Sequence, residues 1–103
     1  MPSVDRLVEY LRAFQKRKPM YVHPVDVKAV QNFLIGFEVG CHACGFEIDR
    51  EFWWAAQEAR GWDRRSVGPI PQMEAKGMSE AEIMDELVEI EILMLREQEE
   101  RTA

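Results

Sequence analysis

MSEAEIMDELVEIEILML, residues 78–95, decides how this chain is read. Ser79 with Glu82 three residues on is a capping box, in which each residue's side chain accepts the other's backbone N–H at a helix start. Met78 and Ile83 bracket it as an apolar staple. From there Ile83, Met84, Leu87, Val88, Ile90, Met94 and Leu95 form a broad apolar face, and Glu82, Asp85, Glu86, Glu89 and Glu100 line the opposite one. Two features break the pattern. Glu91 falls in the middle of the apolar face, and Ile92 and Leu93 fall outside it, as if this stretch were contacted from more than one side. The alternation from Val88 to Ile92 also fits a strand, but the capping and the surrounding strong helix formers favour a helix.

Working back toward the N-terminus, the spacing predicts three more helices. One covers about Ser3 to Gln15, capped by Ser3, with Val4, Leu7, Val8, Leu11 and Phe14 on one face and Pro19 preventing its extension. A second runs from about Pro24 to Cys44 and ends at Gly45; Val27, Val30, Phe33, Leu34, Phe37, Cys41 and Cys44 share a face. Ala29, Gly36, Gly40 and Ala43 make an adjacent strip of small residues. Glycine inside a helix costs about 1 kcal/mol relative to alanine, so a close crossing by another helix is the expected compensation. The third helix spans Arg50 to Arg60, capped by Asp49 and ended by Gly61, with Ile48 stapled on Trp53 and with Phe52, Ala55, Ala56 and Ala59 facing inward. Trp62 to Gly77 is a long connection with Gly68, Pro69 and Pro71, holding at most a helical turn at Gln72 to Lys76. The expected fold is therefore all-α, a compact bundle of four main helices with one long loop between the third and fourth, in a single domain over residues 1–103.

Composition agrees with a globular domain: 103 residues, 47% hydrophobic and 31% charged, with six glycines and five prolines. No stretch is long and apolar enough for a membrane span, and Asp5, Arg6, Glu9 and Arg12 interrupt the run a signal peptide needs, so a soluble cytoplasmic protein is expected. Residues 79–103 carry nine acidic and two basic side chains, so the net charge of −6 belongs to the C-terminal helix. Arg12, Lys16, Arg17 and Lys18 are the only concentrated basic stretch. That balance disfavours nucleic acid and suits a basic protein partner.

Few residues suggest chemistry. Cys41-His42-Ala43-Cys44 has the spacing of a redox pair or of half a zinc site. It lies at a helix C-terminus, where the dipole opposes thiolate formation. His42 projects to the polar side and the only other histidine is His23, so two buried structural cysteines are expected, with a thiol or metal protein as the rival reading. No metal centre, cofactor motif, phosphate loop or catalytic pair can be assembled, and nothing specific indicates an enzyme. Trp54 falls beside Arg50, Gln57 and Glu58 on the polar side of the third helix, where it either covers the long loop or anchors a partner. Trp62, Arg64 and Arg65, with Arg60, extend that candidate surface, and Glu82, Asp85, Glu86 and Glu89 would steer a basic partner to it. The alternative role for the arginines is pairing with the acidic last helix.

Lys18-Pro19-Met20-Tyr21-Val22, followed by Phe33-Leu34-Ile35-Gly36-Phe37, resembles the opening of small bacterial proteins that carry an RPxMY turn and an FLxGY helix, some of them thought to be toxin-immunity proteins. This chain has Lys18 where arginine is usual. The resemblance implies a non-catalytic immunity or inhibitor protein and assigns no functional residue. A third reading is self-association, with Ile92, Leu93 and Leu95 buried against a second copy of the chain.

Overall fold

Both hydrogen bonds of the capping box form: the Glu82 N–H donates to Ser79 Oγ at 3.2 Å, and the Ser79 N–H donates to Glu82 Oε1 at 2.8 Å. The helix that follows continues to Thr102, through the stretch whose alternation also fitted a strand. The computed structural model describes residues 3–102, and every regular element among them is helical. These are α1 (Val4–Lys16), α2 (Val27–Ala43), α3 (Arg50–Ala59), α4 (Ile70–Ala75) and α5 (Glu80–Thr102), with a 3-10 turn at Lys18–Met20 after α1.

Side-chain caps also set the starts of α1, α2 and α3. Ser3 Oγ accepts from the Arg6 N–H at 3.2 Å, and Asp49 Oδ1 from the Glu51 N–H at 3.0 Å. The second helix departs from expectation, beginning at Val27 and not at Pro24. Asp26 is extended and its carboxylate takes the Ala29 N–H at 2.8 Å, so a side-chain acceptor prevails over a proline that only pre-sets φ. The long connection also holds more helix than the single turn at Gln72 to Lys76, since α4 starts two residues earlier with Pro71 in its first turn.

α3 ends in a Schellman turn. Gly61 adopts φ +96, its N–H donates to Glu58 O at 2.9 Å, and the Trp62 N–H reaches back to Gln57 O at 3.0 Å. This turn folds Trp62 onto the core. Its partner Gln57 is fully buried and donates from Nε2 to Asp63 O at 2.6 Å, holding the start of the connection against α3. Ala59, expected inside, is exposed, because the inward position at this end of α3 is filled by Gln57.

α5 is the centre of the molecule. α1, α2, α3 and α4 each pack on it, and none of those four makes a close backbone approach to another. Contact from several sides explains why α5 is buried beyond one stripe: Ile83, Leu87, Val88, Ile90, Met94 and Leu95 are in the core, and so are Ile92 and Glu91. Ile92 and Leu95 are therefore buried in the chain's own core, and Leu93, partly buried, packs against it, so the face expected to meet a second copy is largely covered from within.

Between α1 and α2, ring side chains span the gap. Phe14 stacks on Phe33 with centroids 3.8 Å apart, Tyr21 meets both edge-on at 5.6 and 5.9 Å, and Tyr10 stacks over Phe33 and Phe37 at 6.2 and 6.3 Å. The strip of small residues on α2 is not crossed by any helix of this chain: a Cβ built at Gly36 or Gly40 meets nothing within 4 Å. With no steric conflict and ordinary helical φ, Gly36→Ala and Gly40→Ala are each expected to stabilise the protein by about 0.5–1 kcal/mol, read from urea denaturation.

Candidate functional site

The acidic row on α5 is largely taken up by partners within the chain: Glu86 and Glu89 are half-buried, whereas Glu82 and Asp85 are exposed. Asp85 pairs with Lys18 Nζ at 2.7 Å, and Glu89 accepts from Arg12 and from Gln15 Nε2 at 3.0 Å. Glu86 receives Arg60 Nε and Nη2 at 2.6 and 2.8 Å and Trp62 Nε1 at 2.9 Å. Glu82 is occupied with its cap. These carboxylates thus tie α5 to α1, to the turn after it and to the end of α3, and they neutralise Arg12 and Lys18 out of the basic stretch.

The bonds set the carboxyl acidities. The Arg12 hydrogen bond, opposed by partial burial and helped by Gln15, holds Glu89 below the usual carboxylate range. For Glu86, burial pushes the other way, and the bonds from Arg60 and Trp62 together outweigh it. A depressed carboxyl contributes stability above its unfolded pKa and loses it as pH falls through the folded value. Glu86→Ala is accordingly expected to cost about 1–3 kcal/mol at neutral pH, where it leaves the Trp62 N–H and the Arg60 guanidinium without their acceptor. The difference should shrink as pH falls below the unfolded value of 4.5 and through the lower folded one, where the wild-type carboxyl is itself protonated; urea titrations across that range check it.

The aromatic surface read from the sequence is also largely closed. Trp62 is only 6% exposed, and the Lys76 ammonium lies 5.0 Å from its ring centre, so it is a core residue and not an exposed anchor. Trp54 is half-buried under the Arg64 guanidinium, 4.7 Å above the ring. Arg64 pairs with Glu58 at 3.1 Å and Glu51 at 3.5 Å, and Arg65 with Asp63 at 3.2 Å; of the arginines in this region, Arg60 is the one that reaches the last helix.

Cys41 and Cys44 part company. Both are free thiols, but Cys41 is buried while Cys44, at the C-cap of α2, is exposed, which corrects the expectation that both sulfurs lie in a packing seam. Burial, followed by the nearby carboxyl of Glu91, Cys44 and Glu38, pushes the Cys41 thiol up to about 11, the opposite of what a reactive thiolate needs. Among the described residues no group of three or more His, Cys, Asp or Glu side chains converges as a metal site would require.

Two of the cavities among the described residues bear on a site. The larger, about 630 Å³, is an open groove between α1 and α2 lined by Leu7, Tyr10, Phe33, Phe37 and the bare Gly36 and Gly40, with Arg6 and Asn32 among the few polar groups. Phe33, Gly36 and Phe37 come from one of the two motifs that carry the family resemblance, and Tyr21 of the other packs edge-on to Phe33. On the exposed side of α2, Ile35 and Val39, one turn apart, are 61% and 63% exposed, and Ile35 also lines the second cavity.

A smaller cavity of about 180 Å³ lies among α2, α3, α5 and residues 67–70, with Glu38, Arg50, Trp53 and Glu91 in its wall. Glu91 is 1% exposed, its Oε2 has no hydrogen-bond partner, and burial together with the adjoining Glu38 carboxyl raises its pKa well above the usual range. Sequence periodicity marked Glu91 as misplaced but could not supply its partner, because Glu38 sits on a helix 53 positions away.

Among the described residues no helix is long and apolar enough to cross a membrane. No family model, curated protein or solved structure matches the chain.

Proposed function

We propose that this chain is a non-catalytic protein-interaction module that receives an apolar helix of a basic partner protein along α2 and in the groove between α1 and α2. The observation that carries the reading is the mismatch between the sequence of α2 and its surroundings. Its 17 residues, VKAVQNFLIGFEVGCHA, are apolar around most of the circumference, yet only Val30, Leu34 and Cys41 are buried. A helix of that composition is ordinarily covered on all sides. Here α5 covers one side and rings from α1 and the turn after it meet Phe33 and Phe37, while Ile35 and Val39 stay exposed and Gly36 and Gly40 face open space.

A helix suits the open side. Gly36 and Gly40, one turn apart and facing open space, permit close backbone approach, and ring-lined grooves commonly take the apolar face of an amphipathic helix. The net charge of −6 favours a partner rich in lysine and arginine. An immunity or inhibitor protein is the form of this function that the motifs at residues 18–22 and 33–37 favour, with the toxin as the basic partner.

A photo-reactive residue placed at position 35 or 39, with one at exposed Glu100 as control, tests the reading in cells of the source organism. The expected result is one cross-linked basic protein, identified by mass spectrometry, from positions 35 and 39 and not from 100, and its loss in the Gly36→Leu background. Cross-links to a second copy of the chain, or none at either α2 position, would count against it.

A further inference from the structure

The cavity holding Glu91 is separate from the groove and has a different chemistry. An ionisable side chain at 1% exposure on a buried face of α5 is costly to keep, and Glu91 Oε2 has no hydrogen-bond partner among the described residues. A second carboxyl, Glu38 on α2, adjoins it, and its side chain is 15% exposed. Two carboxyls in one wall, one of them with a vacant acceptor atom, define a site for positive charge.

The other walls select which kind. Trp53, Leu34, Ile70 and Leu87 present ring and aliphatic carbon, whereas a hard divalent ion needs about six or more oxygen ligands. At the mouth, the exposed Arg50 guanidinium already lies 5.5 Å from the Trp53 ring centre and 3.4 Å from Glu38 Oε1, so this ring and this carboxylate accept an organic cation. A volume of about 180 Å³ falls below the ~300 Å³ at which drug-sized ligands begin, leaving room for a chain of a few carbons ending in a compact head. A compact ammonium, with three donors for the two carboxyls to accept, suits the small volume better than a broad planar guanidinium.

We propose that this cavity binds a primary alkylammonium group, with Glu91 Oε2 and the Glu38 carboxylate as acceptors and the Trp53 ring against its methylene chain. The amine is either free or the side chain of a lysine on another protein, and the site does not depend on a helix occupying α2. The titratable and charged groups that face Glu91 are Glu38 and the Cys41 thiol from α2 and Arg50 from α3; residues 67–70 carry none. In the empty cavity burial and the Glu38 carboxyl favour the protonated form of Glu91. When the ammonium enters, Glu91 ionises and that proton leaves to solvent, while the amine stays protonated, since its own pKa is about 10.4.

Isothermal titration of the full chain with n-butylamine and with Nα-acetyl-lysine methylamide, at about pH 6 and about pH 8 in buffers of different ionisation enthalpy, tests this. Expected are one site per chain, tighter binding at the higher pH, proton release on binding, no binding of n-butanol, and a loss of at least about tenfold in affinity in Glu91→Gln. Binding of butylamine alone identifies a free amine as the ligand, and binding of the lysine derivative alone identifies a protein lysine; either supports the site. Absence of binding by both, or equal affinity in Glu91→Gln and wild type, would overturn it. A Glu91→Gln protein whose melting temperature is at or above that of wild type shows that lost binding does not reflect lost folding.

Discussion

Phe14→Ala is expected to lower the unfolding free energy by about 3–5 kcal/mol, a large part of the 5–15 kcal/mol typical of a small domain. Phe14 is fully buried, stacked on Phe33 at 3.8 Å and met edge-on by Tyr21. Its loss removes more than one side chain's transfer energy. The backbones of α1 and α2 keep apart, so rings join them, Phe14 most closely and Tyr10 beside it, and a cavity left under Phe33 would lie next to the 630 Å³ groove that Phe33 lines. Urea unfolding followed by circular dichroism gives the magnitude. Fluorescence of Trp53, Trp54 and Trp62, which all belong to α3 or the turn that ends it, should give the same midpoint, since α5 connects the two ends of the molecule. A loss below about 1 kcal/mol would mean that the ring stack contributes little and that α1 is held by its aliphatic contacts with α5 alone.

Local chemistry made the helices legible and left their arrangement obscure. Ser3, Asp49 and the Ser79/Glu82 pair each cap the helix they precede, because a cap is a contact within three residues and needs no knowledge of the fold. Asp26 was as readable as the others, but Pro24 drew the boundary three residues too early. Trp62 illustrates a sharper lesson. The same Gly61 that marks the end of α3 also dictates that the next residue fold back, and a large apolar side chain just after such a glycine commonly packs on the helix it terminates. Gly45-Phe46 and Gly77-Met78 repeat that pattern, with Phe46 buried and Met78 against the core. The sequence therefore held the signal that Trp62 is internal.

What periodicity cannot supply is the number of neighbours a helix has. Ile92 and Leu93 outside the main stripe of α5 pointed to contact from more than one side, and α5 is indeed the helix on which all others pack. For α2 the same kind of inference failed: two glycines and an apolar circumference suggested a crossing helix, and within this chain none crosses. The acidic row of α5 looked like a solvated face because its partners, Arg12, Lys18 and Arg60, belong to elements distant in sequence. Long-range pairing converts a face that reads as polar surface into a set of internal ties, and only the fold reveals which charges remain for a partner.

Glu91→Gln is the second large effect, and its sign is opposite to that of Phe14→Ala. Burial, reinforced by the neighbouring carboxyl of Glu38, raises the Glu91 pKa in the folded protein, whereas the unfolded chain releases this proton near the ordinary value of 4.5. Below that pH both states are protonated and the group costs nothing extra. As pH rises above about 4.5 the unfolded state sheds a proton that the native state retains, so unfolding becomes easier by up to about 1.4 kcal/mol per pH unit until the folded group also ionises. Glu86 and Glu89, with depressed values, act in the other window and lose their contribution as the solution becomes more acidic than the unfolded carboxyl pKa. Between pH 5 and 8 the Glu91 contribution sets the slope, and the wild-type protein should be less stable at about pH 8 than at about pH 5. Glutamine keeps the shape and a hydrogen-bonding head but cannot ionise. The variant should therefore be about 1–3 kcal/mol more stable than wild type at about pH 8, nearly equal to it at about pH 4, and flat across the interval. Urea midpoints in one buffer series decide the matter: a variant that loses stability at every pH would show that the native carboxyl is ionised and held by Arg50 across the mouth of the cavity, and that its place among apolar neighbours carries no penalty to relieve.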